Sequence, residues 1–137
     1  MKFKFLDHTA DVLYEAYGST LNEVFENAAQ AMFEVMTDTS KVQPLKKERI
    51  KITSNDLISL LYDWLSRLLF LCDVKNMFFS KFDVNVDDKK FLLDAIAYGE
   101  EINERHEFRT EVKAVTYHMM DIKRKSGKYV ARVLLDI

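Results

Sequence analysis

The sequence predicts an α+β fold: a single compact domain over residues 1–137, with two main helices packed on a mostly antiparallel β-sheet. Three observations predict it. Two stretches carry apolar residues at helical spacing and are flanked by short strand patterns. The second half of the chain switches to period-two alternation broken by turn sequences. Glycine (3) and proline (1) are too scarce for long linkers or low-complexity arms. In 137 residues, a 48% hydrophobic and 12% aromatic content supplies one substantial core.

Lys2 to Leu6 alternates polar and apolar residues, and Val12 to Tyr17 is rich in strand formers, so both read as short strands joined by Asp7-His8-Thr9-Ala10-Asp11. Gly18-Ser19 punctuates the chain. Thr20 with Glu23 forms a capping box, in which a hydroxyl accepts from a first-turn amide and a carboxylate reaches back. Leu21, Val24, Phe25, Ala28, Met32, Phe33 and Met36 then mark an amphipathic helix over 21–37, whose stripe packs on the sheet. Lys41 to Lys47, holding Pro44, reads as a loop, and Ile50 with Ile52 as a short strand. Ser54-Asn55-Asp56 offers capping oxygens to a second helix. Its apolar series from Leu57 to Cys72 is so wide that this helix is expected to be the more buried of the two.

Past Asn76, Phe82, Val84 and Val86 alternate with polar residues, Asp87 to Lys90 is a turn, and Phe91 to Tyr98 returns as a strand. Gly99 to Arg109 reads as a polar loop. Glu111 to Lys123 and Tyr129 to Ile137 read as the strands of a hairpin turning at Ser126-Gly127. A two-residue loop there sets Asp121 opposite Arg132, a favourable cross-strand charge pair. The same register sets Asp136 opposite Tyr117, beside His118.

Composition excludes several classes of function. The net charge of -2, from 20 basic and 22 acidic side chains, lacks the basic excess of a phosphate-neutralising surface, so any link to RNA runs through another protein. The short basic runs at Lys46-Lys47-Glu48-Arg49 and Lys123-Arg124-Lys125 read as solvated turns and strand ends. One cysteine, Cys72, leaves no internal disulfide and no all-cysteine metal site, and its apolar neighbours make it a buried structural thiol. The N-terminus lacks the apolar core of a signal peptide, and the window Leu57 to Cys72 is too short and too charged to cross a bilayer. A cytoplasmic location follows as the expectation. Phosphate-cradling glycine loops, nucleophile elbows, zincin helices and EF-hand loops are all missing.

The segment that carries chemistry is Asp7-His8-Thr9-Ala10-Asp11, with three ionisable residues in five positions at a strand connection. Such residues also serve ordinary turns by bonding local backbone. A second carboxylate brought in from elsewhere would make the cluster a cation site. Asp136, followed by the main-chain carboxylate of Ile137, is the candidate. Two carboxylates with further oxygen donors suit Ca²⁺ or Mg²⁺, with Mn²⁺ and Zn²⁺ open but less favoured. His8 would be an additional ligand or an orienting group.

Several blocks resemble the archease family. Phe5-Leu6-Asp7-His8-Thr9-Ala10-Asp11, Gly18-Ser19-Thr20-Leu21 and Asn27-Ala28-Ala29 are similar to its N-terminal signature. Leu60-Leu61-Tyr62-Asp63-Trp64-Leu65 resembles its central helix. Gly99-Glu100, His106 and Glu111-Val112-Lys113-Ala114-Val115-Thr116-Tyr117-His118 resemble its third signature, and Val133-Leu134-Leu135-Asp136-Ile137 its end. The resemblance implies a non-catalytic accessory protein for the GTP-dependent RNA ligase of tRNA splicing. Such a protein promotes guanylylation of the ligase and its repeated turnover. It also implies divalent-metal ligation by Asp11, Asp136 and Ile137, with Ca²⁺ the first choice. Asp7, Glu111, Lys113 and His118 are candidates for supporting the acid end or touching the partner. Two alternatives stay open: a chaperone-like modulator of a tRNA-modifying enzyme, and an independent metal-dependent hydrolase using Asp11, Asp136 and His8.

Overall fold

The computed structural model describes residues 1–8 and 10–137. Among them, seven strands form two antiparallel sheets with two main helices packed on them, the expected α+β fold. The strands are β1 (Phe3–Leu6), β2 (Val12–Gly18), β3 (Lys46–Thr53), β4 (Met77–Asp87), β5 (Leu92–Glu101), β6 (Ala114–Lys125) and β7 (Lys128–Asp136). The first sheet runs β1-β2-β7-β6 and the second β3-β5-β4. Helices α1 (Leu21–Met36) and α2 (Leu57–Lys75) each pack on strands of both sheets, so one core serves the whole chain. Among the described residues, no helix is long and apolar enough to cross a membrane.

Both helices start where the caps predict. Thr20 Oγ1 accepts from the Glu23 amide at 3.1 Å, while Glu23 Oε1 accepts from the Ser19 amide at 3.2 Å. Asp56 Oδ1 accepts from the Ser59 amide at 2.7 Å. Gly18 must be glycine on steric grounds, because a Cβ there would run into the Val24 amide nitrogen. Likewise, a Cβ at Gly99 would collide with the Phe78 carbonyl across the β4–β5 ladder.

Burial reverses one expectation. In α1, ten of sixteen residues are buried, against six of nineteen in α2. α1 is rich in alanine where it meets β2 and β7, and small side chains let strands approach closely enough to seal its face. Its side chains also close the open edge of β4: Glu26 Oε2 accepts from the Val84 amide at 2.9 Å and Asn22 Oδ1 from the Val86 amide at 2.8 Å. Unpaired strand edges invite wrong partners, so this capping protects the sheet. α2 buries Leu60, Leu61, Trp64, Leu65 and Leu68 but leaves Phe70 and Val74 exposed. Its apolar girdle is wider than the sheets can cover.

The final hairpin is correct at its tip and shifted at its base. Lys125 pairs with Lys128 around Ser126 (φ 53°) and Gly127 (φ 76°), both left-handed as a tight two-residue turn demands, and Asp121 faces Arg132. Between Thr116 and Asp121 the register slips, and Asp136 pairs with Ala114, not with Tyr117. The four residues 117–120 stand opposite Val133 alone, and Met119 adopts φ 63° within this bulge. Tyr117 leaves the ladder to stack on Tyr62 of α2, with ring centroids 3.9 Å apart. β6 begins at Ala114, so Glu111 and Lys113 precede the strand instead of sharing one of its faces. Two smaller differences concern β3, which begins at Lys46 inside the expected loop, and β5, which runs on to Glu101.

Candidate functional site

The acid connection and the end of β7 meet at one end of the first sheet. Pairing of β2 with β7 runs to Val12 opposite Leu135. Asp11 and Asp136 are the next residues beyond this last pair, Asp11 just before β2 and Asp136 at the end of β7. β6 closes the other flank, where the Lys113 amide donates to the Asp136 carbonyl at 2.8 Å and Ala114 pairs with Asp136. Asp11 is half-buried and Asp136 exposed. The connection bends back through Ala10 at φ 72°, a left-handed conformation that costs a non-glycine residue roughly 1–2 kcal/mol.

Asp7 and His8 lie exposed in the same connection; Thr9 lies outside the described residues. Among the described residues, no three His, Cys, Asp or Glu side chains are drawn together closely enough to hold a metal. The strand pairing places Asp11 and Asp136 at the same end of the first sheet. His118 sits in the β6 bulge, exposed. Ile137 follows β7 and packs partly against the core. Among the described residues, neither Asp11 nor Asp136 forms an ion pair with a lysine or arginine. An oxygen-only donor set of this kind fits a hard divalent cation whose shell is completed by main-chain oxygens and water.

Two features nearby had no forecast in the sequence. One is a buried carboxylate–imidazole pair that pins the 102–110 loop. Glu100 Oε2 accepts from the Gln43 amide at 2.7 Å and lies 3.0 Å from His106 Nε2, while Arg105 approaches Oε1 at 3.5 Å. The Asn103 amide donates to His106 Nδ1 at 3.1 Å, which leaves Nε2 as the nitrogen that donates to Glu100. The Gln43 amide foremost, then His106 and Arg105, hold the Glu100 carboxyl below its usual range. The other is a groove of about 780 Å³ between α2 and the segment running from Ile102 to Val115, where Glu111 and Lys113 are found. A lone aromatic, Phe108, in an otherwise polar stretch was the available signal for it.

Comparison with known proteins gives one answer. The family model described as the Archease protein family matches residues 3–137. The protein archease of Methanothermobacter thermautotrophicus is 56% identical over 137 residues, 98% of each chain, and that of Sulfurisphaera tokodaii is 51% identical over 99% of each. The solution structure of Methanobacterium thermoautotrophicum protein 1598 superposes with a TM-score of 0.87 at 54% identity, covering 99% of both chains. The crystal structure of a Thermotoga maritima archease, described as a possible chaperone, matches with a TM-score of 0.68 at 20% identity. It covers 98% of this chain and 96% of that one, and it speaks to the fold alone.

Proposed function

The chain belongs to the archease family, and from that premise we propose that it is a non-catalytic accessory protein. Its partner is the GTP-dependent tRNA-splicing RNA ligase, whose guanylylation and repeated turnover it promotes, and its site of action is the cytoplasm. RNA is met only through that ligase. The observation that supports this reading is the convergence of Asp11 and Asp136 at an exposed strand end.

Asp11, Asp136 and a main-chain oxygen of Ile137 would hold a divalent cation, Ca²⁺ first, with Mg²⁺ or Mn²⁺ as substitutes. When bound, such an ion supplies positive charge against the negative charge that develops on phosphoryl oxygens during nucleotidyl transfer. The chain's own contribution is placement. Backbone pairing of β7 with β2 and β6 holds Asp136 in the sheet and anchors Val12 beside Asp11, so less ordering would remain to be done when the partner arrives. Asp7 and His8 would support the ion from the same connection as Asp11, and Lys113, whose amide donates to the Asp136 carbonyl, and Glu111 would meet the partner on the β6 side.

The test is ligase turnover with and without the protein, together with Ca²⁺ titration calorimetry on the purified chain. Asp11→Ala and Asp136→Ala should each abolish both stimulation and Ca²⁺ heat while leaving the melting transition in place. Full stimulation by these variants would instead favour a chaperone-like role, and phosphatase or nuclease activity of the isolated chain a hydrolase.

A further inference from the structure

The groove beside α2 has a floor of Leu69, Phe78 and Val112, with Phe70 and Phe108 on its rims at 59% and 67% exposure. Contiguous exposed apolar surface of this kind marks an interaction site more often than chance. A second cavity of about 440 Å³ adjoins it between α2 and β3, and Ser66 and Phe70 line both.

The second half is chemically different from the first. Lys51 and Arg67 line it together with Thr53 and Asp63, and Asp63 already accepts a hydrogen bond from Ser54 Oγ at 2.5 Å. Lys46 is matched by Glu101, Arg49 by Asp94 and Lys75 by Glu48. Lys51 and Arg67 enter no ion pair among the described residues. In the apolar half, Arg109 is engaged by Glu34 and Glu107, which leaves Asp73 and Glu111 against Lys113. The groove therefore has a cationic end and a slightly acidic apolar end. β3 is an edge strand, so its main-chain groups on the outer side are not consumed by the sheet.

We propose that this groove docks an extended segment of a partner protein in which bulky apolar side chains are followed by acidic ones. The apolar residues fill the space between Phe70 and Phe108, and the acidic residues meet Lys51 and Arg67. The free edge of β3 offers main-chain hydrogen bonds to an extended chain, as in strand addition. A nucleic acid is a poorer match, because two unpaired cations on a chain of net charge -2 neutralise too few phosphates. The proposal stands whether or not Asp11 and Asp136 hold a cation.

The test is selection of a random peptide library displayed on phage against the full chain. Fluorescence anisotropy then follows with the most enriched peptide, labelled with fluorescein. Enriched sequences should pair aromatic or leucine residues with aspartate or glutamate. Binding should weaken at least ten-fold in Phe70→Ser/Phe108→Ser and in Lys51→Glu/Arg67→Glu. The charge-reversed protein should prefer the same peptide with lysine in place of its acids, which a general loss of folding would not produce. Amide shifts of Ser66 and Phe70 on titration of the wild-type chain give a readout free of mutation. No enrichment, enriched peptides without acids, or unchanged affinity in both double variants would overturn the proposal. Self-association lost in the Phe70→Ser/Phe108→Ser protein would assign the groove to a second copy, and oligonucleotide binding lost in Lys51→Glu/Arg67→Glu would assign it to nucleic acid; either would overturn it too.

Discussion

α1 and α2 are built from similar amounts of apolar material and put it to different use. Every large apolar side chain of α1 from Val24 to Met36 is buried, and its last three carbonyls are closed off by another segment. The Arg109 guanidinium donates to Glu34 O, the Thr110 amide to Val35 O and the Arg109 amide to Met36 O, beyond the Phe33 O that the helix's own cap amide at Thr37 satisfies. These three acceptors would otherwise be orphaned at a helix end. α2 anchors itself deeply through Trp64, whose Nε1 donates to Phe25 O at 3.0 Å, yet carries Phe70 and Val74 into solvent. A wide apolar girdle is thus no measure of burial. What decides is how closely the opposing strands can approach, and α1 achieves this with Ala28, Ala29 and Ala31.

The same substitution on both helices tests this contrast most strongly. Phe33 of α1 is fully buried, with its ring against those of Phe79 and Phe82 at 5.6 and 5.9 Å. Phe33→Ala should cost about 3–5 kcal/mol through lost burial and the cavity left behind. Phe70→Ala on α2 should stay within about 0.5 kcal/mol, the range of surface positions. Urea denaturation midpoints decide between them. Similar losses in both variants would mean that α2's outer face is packed after all, and the groove would lose its meaning.

Glu100 is the next lever, because the loop it pins is both the seal on α1 and the second wall of α2's groove. Glu100→Ala should cost about 1–3 kcal/mol, since the Gln43 amide and His106 lose their buried acceptor. The pH dependence has a definite sign. The folded carboxyl sits below the ordinary glutamate range, so its contribution is fully present above that range and fades as pH falls through the lower folded value. Glu100→Gln should therefore show a shallower loss of stability on acidification below about pH 5 than the parent chain, as read by thermal melts of both. An equally steep acid limb in the variant would move the effect to another carboxylate. Arg109→Ala follows at about 1 kcal/mol, a value discounted for its partial exposure, and should fray the last turn of α1 without reaching α2. Amide exchange at Thr37 and Met36, compared with Cys72, reads that difference.

How far the sequence foretold all this depends on whether an element's cause is local. Thr20, Glu23, Asp56 and Ser126-Gly127 act within a few residues, and each feature they predicted is present. The bulge at 117–120 was not legible, since its cause is the Tyr62–Tyr117 stack between elements more than fifty residues apart. The slip of Asp136 from Tyr117 to Ala114 follows directly. The Glu100–His106 pair escaped for a related reason: its third partner, the Gln43 amide, comes from the far side of β3 and α2.

The helix ends offer the finest test of the contrast. α1 stops at Thr37 in an extended conformation (φ -158°) and depends on other segments for its last hydrogen bonds. α2 stops differently: Asn76 turns left-handed (φ 54°), its amide donates to Cys72 O as that of Thr37 does to Phe33 O, and among the described residues no other segment donates to the carbonyls of Asp73, Val74 or Lys75. Asparagine tolerates that conformation better than most side chains, and glycine better still. Asn76→Gly should therefore be neutral or stabilising by a few tenths of a kcal/mol, and Asn76→Ala destabilising by roughly 1 kcal/mol. Thr37→Gly has no left-handed angle to relieve and loses the hydroxyl that donates to Glu107 O at 2.7 Å, so it should destabilise. Opposite signs for glycine at the two ends, measured as shifts in thermal midpoint, are what a self-terminated helix beside one terminated by its neighbours must give. The same sign at both would mean that Asn76 holds its angle through its carbonyl bond to the Ile102 amide, and that α2 too is closed from outside.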